Sequence, residues 1–194
     1  MPRVTGPTRS ETPGRRGRDR VLVPTRRCVF RGPRAILAAE PMADVFRSHL
    51  EWSGAAKGGT RDATSFSRDL DVTAGPIAVP MSAAPGFRGD ASRANPEELF
   101  VASLSACQAL TYLFLAAKHG ILVTGYADDA EGRLGLAEGR MRVSRVVLRP
   151  RITLADRASE AVARELVEKA HGECFIANST TTPVHLEPTF EFGT

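Results

Sequence analysis

The chain has 194 residues, of which 42% are hydrophobic and 25% are charged. That length is enough for one well-filled core and too short for two. Its net charge of +4 is unevenly spread, because residues 1–41 hold ten arginines against three acidic side chains and the remainder carries a net −3. A mildly negative body gives no electrostatic reason to expect nucleic acid as a partner.

The first 41 residues differ from the rest in composition. They are rich in arginine, glycine and proline and contain no stretch with helical or strand periodicity, which is typical of disordered chain. Strand-like sequence begins only after Met42. We therefore expect residues 1–41 to be a disordered arginine-rich tail, consistent with an over-long gene start, and residues 42–194 to form a single domain.

Cysteine usage indicates a reducing compartment. The three cysteines, Cys28, Cys107 and Cys174, lack the density and even pairing of a secreted disulfide scaffold, and no export signal is found. A cytoplasmic protein is therefore expected. No C-x-x-C pair occurs, so neither a thioredoxin-type motif nor a zinc ribbon is predicted. Cys28, in the tail, is assigned no role.

The domain is predicted to open with a hairpin. Residues 45–52 and 61–68 have strand-like composition, and the glycines between them predict a turn. Residues 75–93 contain several prolines and glycines and predict a long irregular connection, of the kind that often carries function.

The strongest local signal is a helix start at Asn95-Pro96-Glu97-Glu98. It combines a preferred N-cap, proline at the first helical position and glutamate at the third. The helix is predicted to end near His119, before Gly120. Its apolar residues occupy all sides of the helical wheel, which predicts burial on all sides. Several polar residues within it argue against a membrane span.

The second half predicts a further hairpin, a helix and a strand. Residues 126–134 and 142–153 are strand-like with glycines between them, an amphipathic helix follows Asp156, and residues 184–192 form a last strand. A short loop after the second helix carries Cys174. Grouped strands and helices of this kind indicate an α+β fold with mainly antiparallel sheets.

Cys107 lies in the middle of the predicted first helix, where an isolated cysteine is usually a small core hydrophobe. Its surroundings change that interpretation. The run Asn95-Pro96-Glu97-Glu98-Leu99, with a cysteine ten residues after the first glutamate, resembles the peroxidatic helix of the OsmC/Ohr family (osmotically inducible protein C and organic hydroperoxide resistance protein). Ala170-His171-Gly172-Glu173-Cys174 is similar to the family's resolving-cysteine segment. Gly86-Phe87-Arg88-Gly89-Asp90 resembles its arginine-bearing loop.

The resemblance implies an OsmC-like fold, with sheets around a long central helix, and reduction of organic hydroperoxides. In that family a thiolate attacks the peroxide, becomes a sulfenic acid and forms a disulfide with a second thiol, which an external dithiol reduces. It implies Cys107 as the attacking thiol, Cys174 as its partner and a lipoyl- or thioredoxin-type reductant. It also implies an intertwined homodimer with shared active sites. No cofactor, metal, nucleic acid or membrane partner is predicted from the sequence.

A buried thiolate in the middle of a helix needs a stabilising group, since burial raises a thiol pKa. Arg88 is the candidate, with Glu97 fixing its guanidinium by a bidentate pair. Arg61, in Gly58-Gly59-Thr60-Arg61, resembles the arginine of the Ohr branch and is the alternative. Ten helical residues separate Glu97 from Cys107 by ~15 Å, so Glu97 is expected to serve the Cys107 of another subunit.

Three questions stay open at the level of sequence. The family commonly has proline after the second cysteine, where this chain has Phe175, so a dimer of this fold without peroxidase activity is an alternative. A metal site is a second alternative, built on His171 and Cys174 with Cys107, His119 or His185. Finally, five apolar residues either line a pocket for alkyl or lipid hydroperoxides or belong to the core: Leu104, Leu110, Phe114, Phe175 and Phe87.

Overall fold

The computed structural model describes residues 44–193. The expected tail and Cys28 lie outside the described residues. Three small sheets, three α-helices and three short 3₁₀ helices make up the described chain. The α+β class is confirmed.

The first sheet is antiparallel and contains β1 (Ser48–Glu51), β2 (Leu70–Ala74) and β3 (Ile77–Met81), in that order. The predicted strand at 61–68 is wrong. That segment is a loop in which the Asp62 carboxylate accepts from the Thr64 N–H, a local bond that competes with strand pairing. The irregular connection predicted at 75–93 instead contains β3, whose Pro80 is tolerated because β3 is an edge strand.

The helix α1 (Pro96–Lys118) begins where the sequence predicts. The Asn95 side chain accepts from the Glu98 N–H at 2.9 Å, and the Glu98 carboxylate accepts from the Asn95 N–H at 3.1 Å. This reciprocal pair is a capping box, which satisfies two of the N–H groups that a helix start leaves free. The helix ends before Gly120, which has a φ of 70°.

We expect the Asn95→Ala variant to unfold at a lower urea concentration, with a loss of about 1 kcal/mol in the free energy of unfolding. The Asn95→Ser variant is the matched control, because serine keeps a capping oxygen. Urea titrations at one fixed protein concentration measure the difference. Identical midpoints for Asn95→Ala and Asn95→Ser would mean that the Asn95 side-chain cap does not stabilise the start of α1.

The other two sheets each contain one parallel pair. β4 (Val123–Asp128), β7 (Pro150–Leu154) and β9 (Thr189–Phe192) form one sheet, with β7 and β9 parallel. β5 (Glu131–Ala137), β6 (Arg140–Leu148) and β8 (Val184–Leu186) form the other, with β6 and β8 parallel. The sequence predicts one strand at each of 126–134, 142–153 and 184–192. Each of these segments instead forms two strands, because its two halves pair in different sheets.

The helix α2 (Glu160–Glu173) follows a 3₁₀ turn that Asp156 caps, as the sequence predicts. It packs against α1. The buried Gln108 side chain on α1 donates to the Val167 carbonyl on α2 at 3.0 Å. Cys174 is followed by a short helix, α3 (Phe175–Asn178), where the sequence predicts a loop.

One face of α1 lies in the core and the other does not. Buried residues recur every three or four positions: Leu104, Gln108, Tyr112, Leu115 and Ala116. The opposite face carries Leu110 and Phe114, whose surfaces are 70% and 63% exposed. The predicted burial on all sides is therefore wrong within residues 44–193 of one chain, where α2 and the sheets cover one side of α1. By length and composition α1 would also pass for a membrane span, a property shared with core helices of globular proteins.

Candidate active site

The two cysteines predicted to react with each other lie side by side. Cys107 is half-buried in the middle of α1, and Cys174 is buried between α2 and α3. Both thiols are free, and each lies close enough to the other to shift its pKa. The packing of α1 against α2 and α3 thus brings together two residues that are distant in sequence.

Cys107 is the more acidic of the two thiols. Burial alone would raise its pKa, but four hydrogen bonds together outweigh burial and hold its pKa below the ordinary value. They come from the Cys174 thiol, the N–H groups of Ile176 and Phe175, and the Thr111 hydroxyl. Hydrogen bonds to a charged form favour that form. Cys107 is therefore the thiol that ionises first.

Cys174 is shifted in the opposite direction. Burial raises its pKa, and its hydrogen bond to Cys107 raises it further. The shifts therefore make Cys107 the more acidic thiol of the pair and Cys174 the less acidic one. This asymmetry suits a pair in which one sulfur attacks a substrate and the other reacts afterwards, since the thiolate is the nucleophilic form.

Arg88 does not act on Cys107 within one chain. It is exposed, has a left-handed backbone with a φ of 66°, and donates to the Thr64 carbonyl at 2.8 Å. No arginine is among the groups that shift the Cys107 pKa in residues 44–193. The structure therefore leaves the catalytic role of Arg88 a prediction.

Arg61, the alternative arginine, is also exposed, and its side chain makes no hydrogen bond or ion pair within the part of the chain that the structure describes. It lies three residues before Thr64, the residue that Arg88 contacts. Both candidate arginines thus belong to neighbouring loops beside the β1–β3 sheet. Their positions give no reason to choose one over the other.

Glu97 faces a pocket of about 570 Å³ between the first half of α1 and the sheet that contains β5 and β6. Glu98 and Asp128 add two further carboxylates to its wall, and among the described residues no lysine, arginine or histidine lines it. Asp128 accepts from the Ser105 hydroxyl at 2.5 Å and from the Arg149 N–H at 2.6 Å. The pocket is suited to receive a cationic group.

Glu97 and Cys107 do not share a site in one chain. Both lie on the unbroken helix α1, ten residues and therefore ~15 Å apart along its axis. Neither Glu97 nor any other carboxylate is among the groups that shift the Cys107 pKa in the described chain.

Neither the apolar pocket nor the metal site considered from the sequence is assembled within residues 44–193. Leu104 is buried in the core, whereas Leu110, Phe114, Phe175 and Phe87 are exposed, so the five do not line a common pocket in one chain. For the metal alternative, residues 44–193 contain no group of three histidine, cysteine or acidic side chains that could hold an ion.

Sequence reasoning missed the backbone N–H groups of Phe175 and Ile176 and the hydroxyl of Thr111. The first two belong to α3, a helix of four residues, which is too short to show a periodic pattern. Thr111 stands four residues after Cys107, where its hydroxyl also donates to the Cys107 carbonyl at 2.9 Å. The four-residue spacing from Cys107, which places two residues on one side of a helix, is the one feature of the sequence that pointed to Thr111.

A family model described as OsmC-like protein matches residues 89–189. This is more than half of the chain and includes both Cys107 and Cys174. The chain belongs to the OsmC-like family. The resemblance of Asn95–Cys107 and of the Cys174 segment is thereby confirmed at the level of the family, which includes the organic hydroperoxide resistance peroxidases.

Solved structures of OsmC-like proteins have the same fold. One, of unknown function, from Vibrio cholerae is 30% identical, and the match covers 76% of this chain and 100% of that chain with a TM-score of 0.70. An organic hydroperoxide resistance protein from Elizabethkingia anophelis is 19% identical over 78% of this chain and 98% of that chain, with a TM-score of 0.56. Its Bacillus subtilis counterpart is 18% identical over 76% and 98%, with a TM-score of 0.51.

The two hydroperoxide resistance proteins, at these identities, show the fold alone. The search of curated protein sequences gave no match.

Proposed function

We propose that this chain is a cysteine-based peroxidase that reduces organic hydroperoxides, with Cys107 as the attacking thiol and Cys174 as its disulfide partner. One observation carries the proposal: the two thiols are neighbours that influence each other's pKa, which is lowered at Cys107 and raised at Cys174. If both cysteines were inert core residues, burial would raise the pKa of both thiols, and the two shifts would not have opposite directions.

In the proposed reaction the Cys107 thiolate attacks one peroxide oxygen. An S–O bond forms, the O–O bond breaks, and the leaving alkoxide takes a proton to become an alcohol. Cys174 then attacks the sulfenic sulfur, so that an S–S bond forms and water leaves. An external dithiol, of lipoyl or thioredoxin type, reduces the disulfide and returns both thiols.

We further propose that the active unit is a homodimer with shared sites. The α1 face opposite the core carries four apolar side chains that one chain leaves exposed, namely Leu99, Leu110, Leu113 and Phe114. Exposed apolar surface of this kind marks an interaction site. A second copy on this face would also let the Glu97 of one chain approach the Cys107 of the other.

The proposed dimer supplies a place for the arginine. The pocket beside Glu97 carries three carboxylates and is suited to a cation, and an arginine brought by the other copy would pair with Glu97 and polarise the peroxide. Arg88 is our first choice and Arg61 the alternative. Both are exposed.

Organic hydroperoxides are proposed over hydrogen peroxide because apolar side chains adjoin the attacking sulfur. Leu110 and Phe114 lie three and seven residues after Cys107, on its side of α1, and the Phe175 ring is 82% exposed beside the thiol pair. Between two copies these side chains would line an apolar cleft for an alkyl or aryl group. We place the reaction in the cytoplasm, where external dithiols are available.

The test is consumption of cumene hydroperoxide and of hydrogen peroxide by the purified protein with dihydrolipoamide as reductant. We expect faster turnover of cumene hydroperoxide. Equal rates would contradict the apolar cleft, and inactivity toward both peroxides would favour the alternative of an OsmC-like dimer that binds rather than reacts.

A further inference from the structure

The loop that carries Arg88 is closed at its base and tightly wound at its tip. At the base, the Ser82 N–H donates to the Ala94 carbonyl at 2.9 Å. At the tip, the Arg88 N–H donates to the Pro85 carbonyl at 2.9 Å, which closes a 3₁₀ turn over Pro85–Phe87. Compact surface loops with joined ends often carry functional residues.

Arg88 has a backbone conformation that residues other than glycine rarely adopt. Its φ of 66° lies in the left-handed region. The next residue, Gly89, lies so close to the Ala83 carbonyl that a side chain there would collide with it. Backbone strain of this kind persists only where the surrounding structure holds it. The contacts that hold the turn are therefore part of how Arg88 is presented.

A buried hydroxyl supplies one of these contacts. Ser82 is fully buried, and its Oγ accepts from the Asp90 N–H at 3.0 Å, two residues after Arg88. The same hydroxyl donates to the Asp69 carboxylate at 3.2 Å, and Asp69 is paired in turn with Lys57 at 3.0 Å. Because Asp69 takes the hydroxyl proton, a lone pair of the Ser82 oxygen is left for the Asp90 N–H.

We propose that Ser82 is a positioning residue for Arg88, since its buried hydroxyl fixes the turn that presents the arginine to the second copy. This rests on the proposed function, in which Arg88 is the first choice for the arginine that polarises the peroxide. Residues 85–88 are all exposed, so fixing them buries little apolar surface. What the anchored turn provides is a defined place for the Arg88 side chain.

The Ser82→Ala variant is expected to be cleaved by trypsin after Arg88 about 10-fold faster than the unsubstituted protein, because the loss of one hydrogen bond makes local opening of the turn more frequent. Ser92→Ala is the matched control. Ser92 is an exposed serine of the same loop, and its hydroxyl bonds to the Asp90 carboxylate, so this variant is expected to keep the original rate.

Cleavage after Arg133, on β5, is the reference within each digest. Equal rates after Arg88 in the unsubstituted protein and in Ser82→Ala would overturn the proposal. An equal rise after Arg88 and Arg133 would overturn it as well, because the substitution would then loosen the whole fold rather than the turn.

Turnover of cumene hydroperoxide shows whether Ser82 acts through Arg88. Ser82→Ala is expected to lower kcat/KM by about 10-fold, the result of a misplaced arginine, and Arg88→Ala to lower it further. The double variant is expected to match Arg88→Ala alone, since a turn without the arginine has nothing to position. Effects that multiply in the double variant would overturn the proposal.

The failure of the proposed function would be visible separately. Absence of turnover in the unsubstituted protein would contradict the peroxidase reaction, whereas the tryptic rates use no peroxide and would still decide whether Ser82 fixes the Arg88 turn.

A measurement on the unsubstituted protein guards against misfolding of the variants. The Asp90 amide is expected to exchange with solvent deuterium about 10-fold more slowly than the Ala91 amide, after correction for sequence effects. Asp90 donates to the buried Ser82 oxygen, whereas the Ala91 N–H has no acceptor among the described residues. Equal corrected rates at the two amides would overturn the proposal independently of any substitution.

Discussion

The Cys107→Ser variant is expected to lose hydroperoxide turnover by about 1000-fold or more, because a serine hydroxyl does not ionise near neutral pH and removal of a nucleophile is costly. The substitution changes one half-buried atom, so the fold is expected to remain. Turnover of cumene hydroperoxide with a dithiol reductant measures the effect, and far-ultraviolet circular dichroism checks the fold.

The matched control for this variant is Thr111→Ser, which lies one turn further along α1 and keeps a hydroxyl. It is expected to retain most of the turnover. Residual turnover of the Cys107→Ser protein close to that of Thr111→Ser would show that another group attacks the peroxide.

The Phe114→Asp variant is expected to separate the proposed dimer and to lower turnover by about 100-fold or more, the scale of losing a preorganised electrostatic group from a site. Phe114 is 63% exposed in one chain, so an aspartate there is well solvated in a monomer. Between two copies the same carboxylate would be buried without a partner, which is costly. Light scattering after size-exclusion chromatography reports the mass in solution.

Val162→Asp is the matched control for the interface. Val162 is 44% exposed on α2, and α2 packs against the buried face of α1, away from Phe114. This variant is expected to keep both the dimer and the activity. A single-chain mass for the unsubstituted protein would contradict the dimer, and a monomeric Phe114→Asp protein with full turnover would contradict shared sites.

Elements with local signals could be predicted from the sequence. α1 begins at Pro96 because Asn95 and Glu98 form a capping box, and α2 follows the cap at Asp156. The strand pairings could not be predicted. β1 pairs with β2 rather than with residues 61–68, where the Asp62 side chain satisfies a nearby N–H instead. Whether a strand segment pairs depends on long-range contacts that its own residues do not reveal.

The site was predictable only in part. Cys107 and Cys174 are separated by an interval whose length says nothing about contact, and the family resemblance rather than the spacing paired them. The N–H groups of α3 belong to the backbone and carry no sequence signal. Burial of α1 on all sides was inferred from the helical wheel, but Leu110 and Phe114 on its second face are exposed within the described part of one chain.

The most direct test of Cys107 as a peroxidatic thiol is mass spectrometry of the Cys174→Ser variant after one equivalent of cumene hydroperoxide. Without its disulfide partner, Cys107 is expected to accumulate as a sulfenic acid that gains one oxygen and reacts with dimedone. An unmodified Cys107 thiol, with the hydroperoxide still present, would contradict the proposed function.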